Sequence, residues 1–190
     1  MLGLLSKLVT PNQLTVARMF LIPVIYLLIW IDTPGILFAA AVLYTIACFT
    51  DYLDGVLARF EGKSTPLGKL LDPIADKVLV SSILVLLVAM DRAPAIATVI
   101  LISREFAISG LRSIAVVDGL VIGASWAGKL KTLIQMISIG FLIVHHDTWH
   151  IPFHIIGLVL LWASAVISLW SGVEYFMAYY RNTPHEEPQQ

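Results

Sequence analysis

Asp51 and Asp54 stand three residues apart, and Asp72 and Asp76 stand four apart. Each spacing puts a pair of carboxylates on one face of a helix. Two such helices side by side let four carboxylates converge. Four negative charges in a low-dielectric place need protons or metal ions to neutralise them. An all-oxygen donor set suits hard divalent ions, Mg²⁺ or Mn²⁺. The plainer reading makes the four aspartates helix caps, or partners of Lys69, Lys77 and Arg59. Their setting speaks for function: they lie in or beside runs such as "FAAAVLYTIACF" and "VLVSSILVLLVAM", and carboxylates in such runs are costly. Arg59 adds a fork-shaped donor of the kind that grips phosphate. Gly55, Ala58 and Gly68 leave room for a bulky ligand against the backbone, or for close helix packing.

The elements that hold these residues follow from composition. The chain has 190 residues, 58% hydrophobic and 13% charged, with a mean hydropathy of +0.88. A soluble domain of this size cannot hide so much apolar surface, so lipid must solvate it. A net charge of −1 offers nothing to nucleic acid. The lone Cys48 excludes a disulfide framework and a cysteine metal site. A span needs about 20 apolar residues, and six are expected, near 14–31, 35–59, 66–90, 93–117, 126–146 and 152–178. The fold class is thus an all-α integral membrane protein with six transmembrane helices, forming a single domain over 1–180. The start "MLGLLSKLV" reads as an amphipathic helix lying at the interface, with no cleavable leader. Residues 181–190 form a polar tail.

Thr65-Pro66 reads as an N-cap followed by proline at the first helical position. The preceding helix ends near Arg59 and Phe60, so the two are antiparallel neighbours. At 1.5 Å per residue, Asp54 lies about 8 Å beyond Arg59, and Asp72 lies about 9 Å beyond Pro66. Asp51 and Asp76 lie about 12–15 Å in. Orientation comes from the basic residues. Lys7, Arg18, Arg59, Lys63, Lys69, Lys77, Arg104, Arg112, Lys129, Lys131 and Arg181 fall toward one face, and only Arg92 toward the other. That bias places both termini and the aspartate hairpin on the cytoplasmic side of the inner membrane.

Arg104, Arg112, Lys129 and Lys131 form a second basic group on the same half, suited to a dianion. Arg104 sits beside Glu105, which can take part of its charge, and the two lysines also suit snorkelling to headgroups. Asn12 and Arg18 are placed to order the first helix. His145, His146, His150 and His154 have the look of a metal cluster, but their position beside Pro152 at the opposite face is expected to be a polar loop. Trp30, Trp126, Trp149, Trp162 and Trp170 read mostly as interface anchors. Glu174 has no assigned role.

The residues from Asp51 to Asp76 match the pattern D-x2-D-G-x2-A-R-x8-G-x3-D-x3-D at every fixed position. The chain therefore resembles the CDP-alcohol phosphotransferase family. The resemblance implies six transmembrane helices, a homodimer, and two divalent ions held by Asp51, Asp54, Asp72 and Asp76. It further implies Asp76 as general base, and Gly55, Ala58, Arg59 and Gly68 near the CDP moiety. Thr65, Asn12 and Arg18 are grouped with that donor side. "PNQLTVAR", "LLDPIADKVLV", "SREFAISGLR" and "SWAGKLKTLIQM" are similar to segments of the family branch that joins CDP-diacylglycerol to sn-glycerol 3-phosphate. Arg104, Arg112, Lys129 and Lys131 are then the candidates for the acceptor phosphate.

Three rivals are weighed against this. A relative with inositol phosphate, serine or a phospholipid as acceptor would share the signature. An intramembrane prenyltransferase would need a second aspartate motif on another helix pair. A cation transporter would show a repeat or a broken helix, and the hairpin is not repeated.

Overall fold

Proline and turn residues cut the chain into helices. The computed structural model describes residues 11–61, 66–120, 123, 126–146 and 151–182, with side chains over 19–50, 77–120, 123, 126–146 and 151–182. Six helices run through them: α1 (Pro11–Ile31), α2 (Pro34–Glu61), α3 (Pro66–Ala89), α4 (Ala95–Val117), α5 (Trp126–Val144) and α6 (Phe153–Asn182). Three start on proline, whose fixed φ and missing N–H suit the first helical position. The other expected boundaries shift slightly. The fourth helix starts at Ala95 behind an extended Pro94. The last runs on to Asn182, where the Asn182 side-chain amide donates to the Ala178 carbonyl at 2.7 Å, so Arg181 is helix and not tail. The amphipathic segment expected before Pro11 lies outside the described residues.

Asp32, Asp91 and His145 follow α1, α3 and α5 with φ of 54°, 56° and 41°. A left-handed residue is a common way out of a helix, and Asp and His enter that region more readily than most side chains. All three lie at one end of the bundle, opposite the connection between α2 and α3.

The packing is a helix bundle. Among the described residues α5 and α6 form the most extensive pair; α1 packs on α2 and α3, α2 on α5, α4 on α6, and α3 on α4 and α5. The core takes Ile25 and Ile29 from α1, Leu37 and Tyr44 from α2, Leu79, Leu84 and Leu87 from α3, Leu101 from α4, Ile139 and Leu142 from α5, and Leu161 from α6. At the α5–α6 crossing the Ser138 hydroxyl donates to the Gly157 carbonyl at 2.8 Å. A Cβ at Gly157 would stand 2.8 Å from the Leu142 side chain and 3.1 Å from its backbone nitrogen, so only glycine lets the helices approach this closely.

The surface inverts the soluble pattern. Phe20, Leu27, Trp30, Val99, Val159, Val166 and Trp170 are exposed, while Ser138, Ser164, Ser168 and Ser171 are buried. Small polar residues between helices and large apolar ones outside are the arrangement of a bundle in lipid. α5 and α6 are each long and apolar enough to cross a bilayer, and shorter apolar stretches lie at Met19–Ile31, Pro34–Thr50 and Lys77–Ala89.

Candidate active site

The aspartate motif occupies the end of α2 and the start of α3. Asp51 and Asp54 lie within the last three turns of α2, and Asp72 and Asp76 within the first three turns of α3. Both pairs therefore keep their helical spacing of three and four, one shared face each. Thr65 lies in the connection, outside the described residues. Asn12, Arg18, Asp51, Asp54, Gly55, Ala58, Arg59, Gly68, Asp72 and Asp76 lie on described helices, but their surroundings are outside the described residues. The donor chemistry still tests the fit of a metal: four carboxylates on two successive helices supply only hard oxygen ligands, which suit Mg²⁺ or Mn²⁺.

The second basic group divides into distinct environments. Lys131 on α5 is 2% exposed and forms an ion pair with Glu105 on α4. A buried ammonium needs such a partner, because burial without one is very costly. The same Glu105 oxygen stands 3.3 Å from Arg104 Nη1. Two cations thus share one carboxylate oxygen.

Arg104 is also tied to α6. Its Nε donates to the Ser168 carbonyl at 3.0 Å, and its Nη2 donates to the Ser171 hydroxyl at 2.6 Å. Gly172 makes room for it: a Cβ there would meet Arg104 Cγ at 3.4 Å. Further along, the Arg112 guanidinium carbon lies 5.7 Å from the Tyr175 ring centroid, within cation–π range. The Tyr179 hydroxyl then donates to Asp118 Oδ2 at 2.8 Å. Contacts that rise together in number along both helices mean that α4 and α6 run parallel. Arg112 is exposed, and so is Lys129. Of the four expected phosphate-binding residues, then, Arg104 and Lys131 meet through Glu105, Arg112 lies further along the α4–α6 seam, and Lys129 stands out in the open. Glu174 is exposed on α6.

The opposite end of the bundle holds a cavity of about 680 Å³ lined by Asp32, Asp91, Arg92, His145, His146 and His154, among others. Arg92 is 4% exposed. Its Nη2 donates to Asp32 Oδ1 at 2.6 Å, and its Nη1 reaches the Ile143 carbonyl at 3.4 Å. His146 Nε2 lies 3.7 Å from the same aspartate oxygen. The histidines expected to form only a polar loop are therefore gathered, apart from His150, which lies outside the described residues.

Sequence reasoning missed two of these partners. The sequence assigns no partner to Asp32, between the first two expected spans, and gives Glu105 only to Arg104, beside it. A signal was present in each case: Glu105 is the one acidic residue in the sequence of α4, which also carries Arg104 and Arg112, and Arg92 stands apart from the other basic residues in the reading of the sequence.

Comparison with known proteins agrees with this architecture. Residues 8–170 match the family model described as CDP-alcohol phosphatidyltransferase. A Bacillus subtilis (strain 168) protein named CDP-diacylglycerol–glycerol-3-phosphate 3-phosphatidyltransferase is 37% identical over 182 residues, covering 87% of this chain and 92% of its own. Proteins of the same name from Rickettsia typhi and from Shigella flexneri serotype 5b are 37% and 36% identical, each over 88% of this chain and over 95% and 93% of their own. The crystal structure of Mycobacterium tuberculosis phosphatidylinositol phosphate synthase in apo form superposes with a TM-score of 0.67 over 99% of this chain and 97% of that one, at 23% identity. At that identity the likeness speaks to fold, and the helical order described above is its counterpart here. With the motif, the bundle and a family match over most of its length, the chain belongs to the CDP-alcohol phosphatidyltransferase family.

Proposed function

We propose that this chain transfers the phosphatidyl group of CDP-diacylglycerol to sn-glycerol 3-phosphate, giving phosphatidylglycerophosphate and CMP. The observation that carries this is the unbroken aspartate motif at the end of α2 and the start of α3. The names of relatives aligned over nearly nine-tenths of the chain support the acceptor.

The primary hydroxyl of glycerol 3-phosphate attacks the phosphorus that bears the diacylglycerol. The new P–O bond forms as the pyrophosphate P–O bond breaks, and CMP leaves with that bond's electron pair. Asp76 takes the hydroxyl proton as general base as the oxygen attacks. Asp51, Asp54, Asp72 and Asp76 would hold two divalent ions, which when bound neutralise the pyrophosphate and its developing charge. Arg59 adds a bidentate donor to the donor phosphates, with Gly55, Ala58 and Gly68 keeping the backbone open to the cytidine nucleotide, and Thr65, Asn12 and Arg18 bordering it. Arg112 and Lys129 supply the free positive charge for the acceptor phosphate. Arg104 and Lys131, neutralised in part by Glu105, set the helices that present it.

The same reading makes all six helices transmembrane, with both termini and the aspartate hairpin on the cytoplasmic side of the inner membrane, and a homodimer as the working unit. The test is CMP release from CDP-diacylglycerol by purified protein with Mg²⁺, offered glycerol 3-phosphate, inositol phosphate, serine or a phospholipid. Release with glycerol 3-phosphate alone is the expected result. Release with another acceptor, or with none, overturns the assignment.

A further inference from the structure

We propose that Asp32, His145 and His146 form a transition-metal site of the Zn²⁺ class at the end of the bundle remote from the aspartate motif. One ligand atom from each lies within 4.8 Å of the other two. They come from separate connections, Asp32 from the turn between α1 and α2, and the two histidines from the residues directly after α5. Two imidazoles with one carboxylate select a borderline ion such as Zn²⁺ over Mg²⁺. This is a different donor set from the all-carboxylate one on α2 and α3. Ligands of one zinc ion stand about 3–3.5 Å apart, given bonds near 2.0–2.2 Å in tetrahedral geometry. Closure of about an ångström by half-exposed side chains is enough.

A second observation points to the same place. The Nδ1 atoms of His145 and His154 are shielded from solvent and have no hydrogen-bond partner among the described residues. Both rings line the same cavity. A shielded imidazole nitrogen without a donor or acceptor is a cost that a metal bond would remove. His154, in the first turn of α6, lines the same cavity but stands outside the group of three. The His145 and His146 rings already lie 3.9 Å apart between centroids.

Arg92 does not block the site. It holds Asp32 Oδ1 at 2.6 Å, and a carboxylate has a second oxygen and about four lone-pair positions. Such a hydrogen bond orients the carboxylate as outer-shell partners do at metal sites. The guanidinium charge weakens binding without abolishing it. An ion here would clamp the α1–α2 turn to the end of α5.

The experiment uses the full-length, untagged chain in detergent with Asp72 and Asp76 both changed to Asn, so that the other donor set is weakened. After chelator treatment, Zn²⁺ alone is titrated against a chromophoric zinc indicator, and Co²⁺ is used to read nitrogen ligation from its visible spectrum. One zinc per chain is expected. His145→Gln with His146→Gln should weaken it at least about 10-fold, the lower end of what disturbing a metal's surroundings costs. His154→Gln should weaken it less. If the double variant fails to fold, Asp32→Asn and His146→Gln are read singly; Mg²⁺-dependent transferase activity in the unaltered aspartate background reports the fold and should not change. Equal zinc affinity in the parent and in the histidine or Asp32 variants overturns the site, as does the absence of any bound zinc in the parent.

Discussion

The two ends of this bundle hold similar atoms in different company. At one end, four aspartates lie on two successive helices, each pair at helical spacing. At the other, Asp32 and the histidines come from connections between helices, and Arg92 is already bonded to Asp32. The first arrangement is written in local spacing; the second exists only because α1, α3 and α5 end at the same level. The difference teaches that carboxylate chemistry on regular helices needs no loop to position it, whereas a mixed-ligand cluster depends on the packing of the whole bundle. It also predicts that the two ends respond separately to metal and to mutation.

The largest effect expected is from metal removal. EDTA should abolish phosphatidyl transfer, and Mg²⁺ or Mn²⁺ should restore it, in the parent and in a His145→Gln, His146→Gln variant alike. Activity that persists in chelator, or that disappears with the histidines, would collapse the distinction between the ends. Next comes Asp76→Asn. Loss of a general base costs about 10²-fold or more, so kcat should fall by that order while CDP-diacylglycerol still binds. A near-normal kcat moves the base to another residue.

A smaller and more selective effect is expected at the acceptor. Truncating a charge-assisted contact costs about 1.5–3 kcal/mol, or about 10- to 150-fold. Arg112→Ala should raise KM for glycerol 3-phosphate by that order and leave KM for CDP-diacylglycerol nearly unchanged. The reverse pattern assigns Arg112 to the donor. Its loss also removes the Tyr175 contact, so Tyr175→Leu is the control: it should soften the helix pair without a selective rise in the acceptor KM.

The smallest effect probes packing nearer the histidine end. Gly157→Ala puts a methyl group 2.8 Å from Leu142, and overpacking costs about 1–3 kcal/mol. Thermal unfolding in detergent should fall accordingly, with kcat of the folded protein retained. An unchanged melting temperature means that the α5–α6 crossing yields more easily than its spacing suggests.

Much of this was legible before any coordinates. Pro34, Pro66 and Pro94 mark helix starts in any setting, and the aspartate spacing survives intact because a helix preserves sequence distance as rotation and rise. What could not be read is which faces meet. In a soluble helix an apolar stripe points inward. Here α1 is apolar nearly all round, with Phe20 and Trp30 outside and Ile25 and Ile29 inside, so hydropathy does not separate its faces. Asp32 lies 60 residues from Arg92, and Ser171 lies 67 residues from Arg104, and no local pattern links either pair. The buried serines of α6 carry the inward signal instead, as small polar residues do between helices in lipid.

The α4–α6 seam has a mechanical consequence. Arg104 with Ser168 and Ser171, Arg112 with Tyr175, and Asp118 with Tyr179 form three ties along two helices that point the same way. Such a joint is keyed. A slide of one helix along the other would have to undo all three ties together, because each depends on the same offset. A tilt about the Arg104 end would stretch only the outer two. An opening that keeps the Arg104 tie is therefore fan-like, narrowest at Arg104 and widest at Asp118, and leaves the register of the two helices locked.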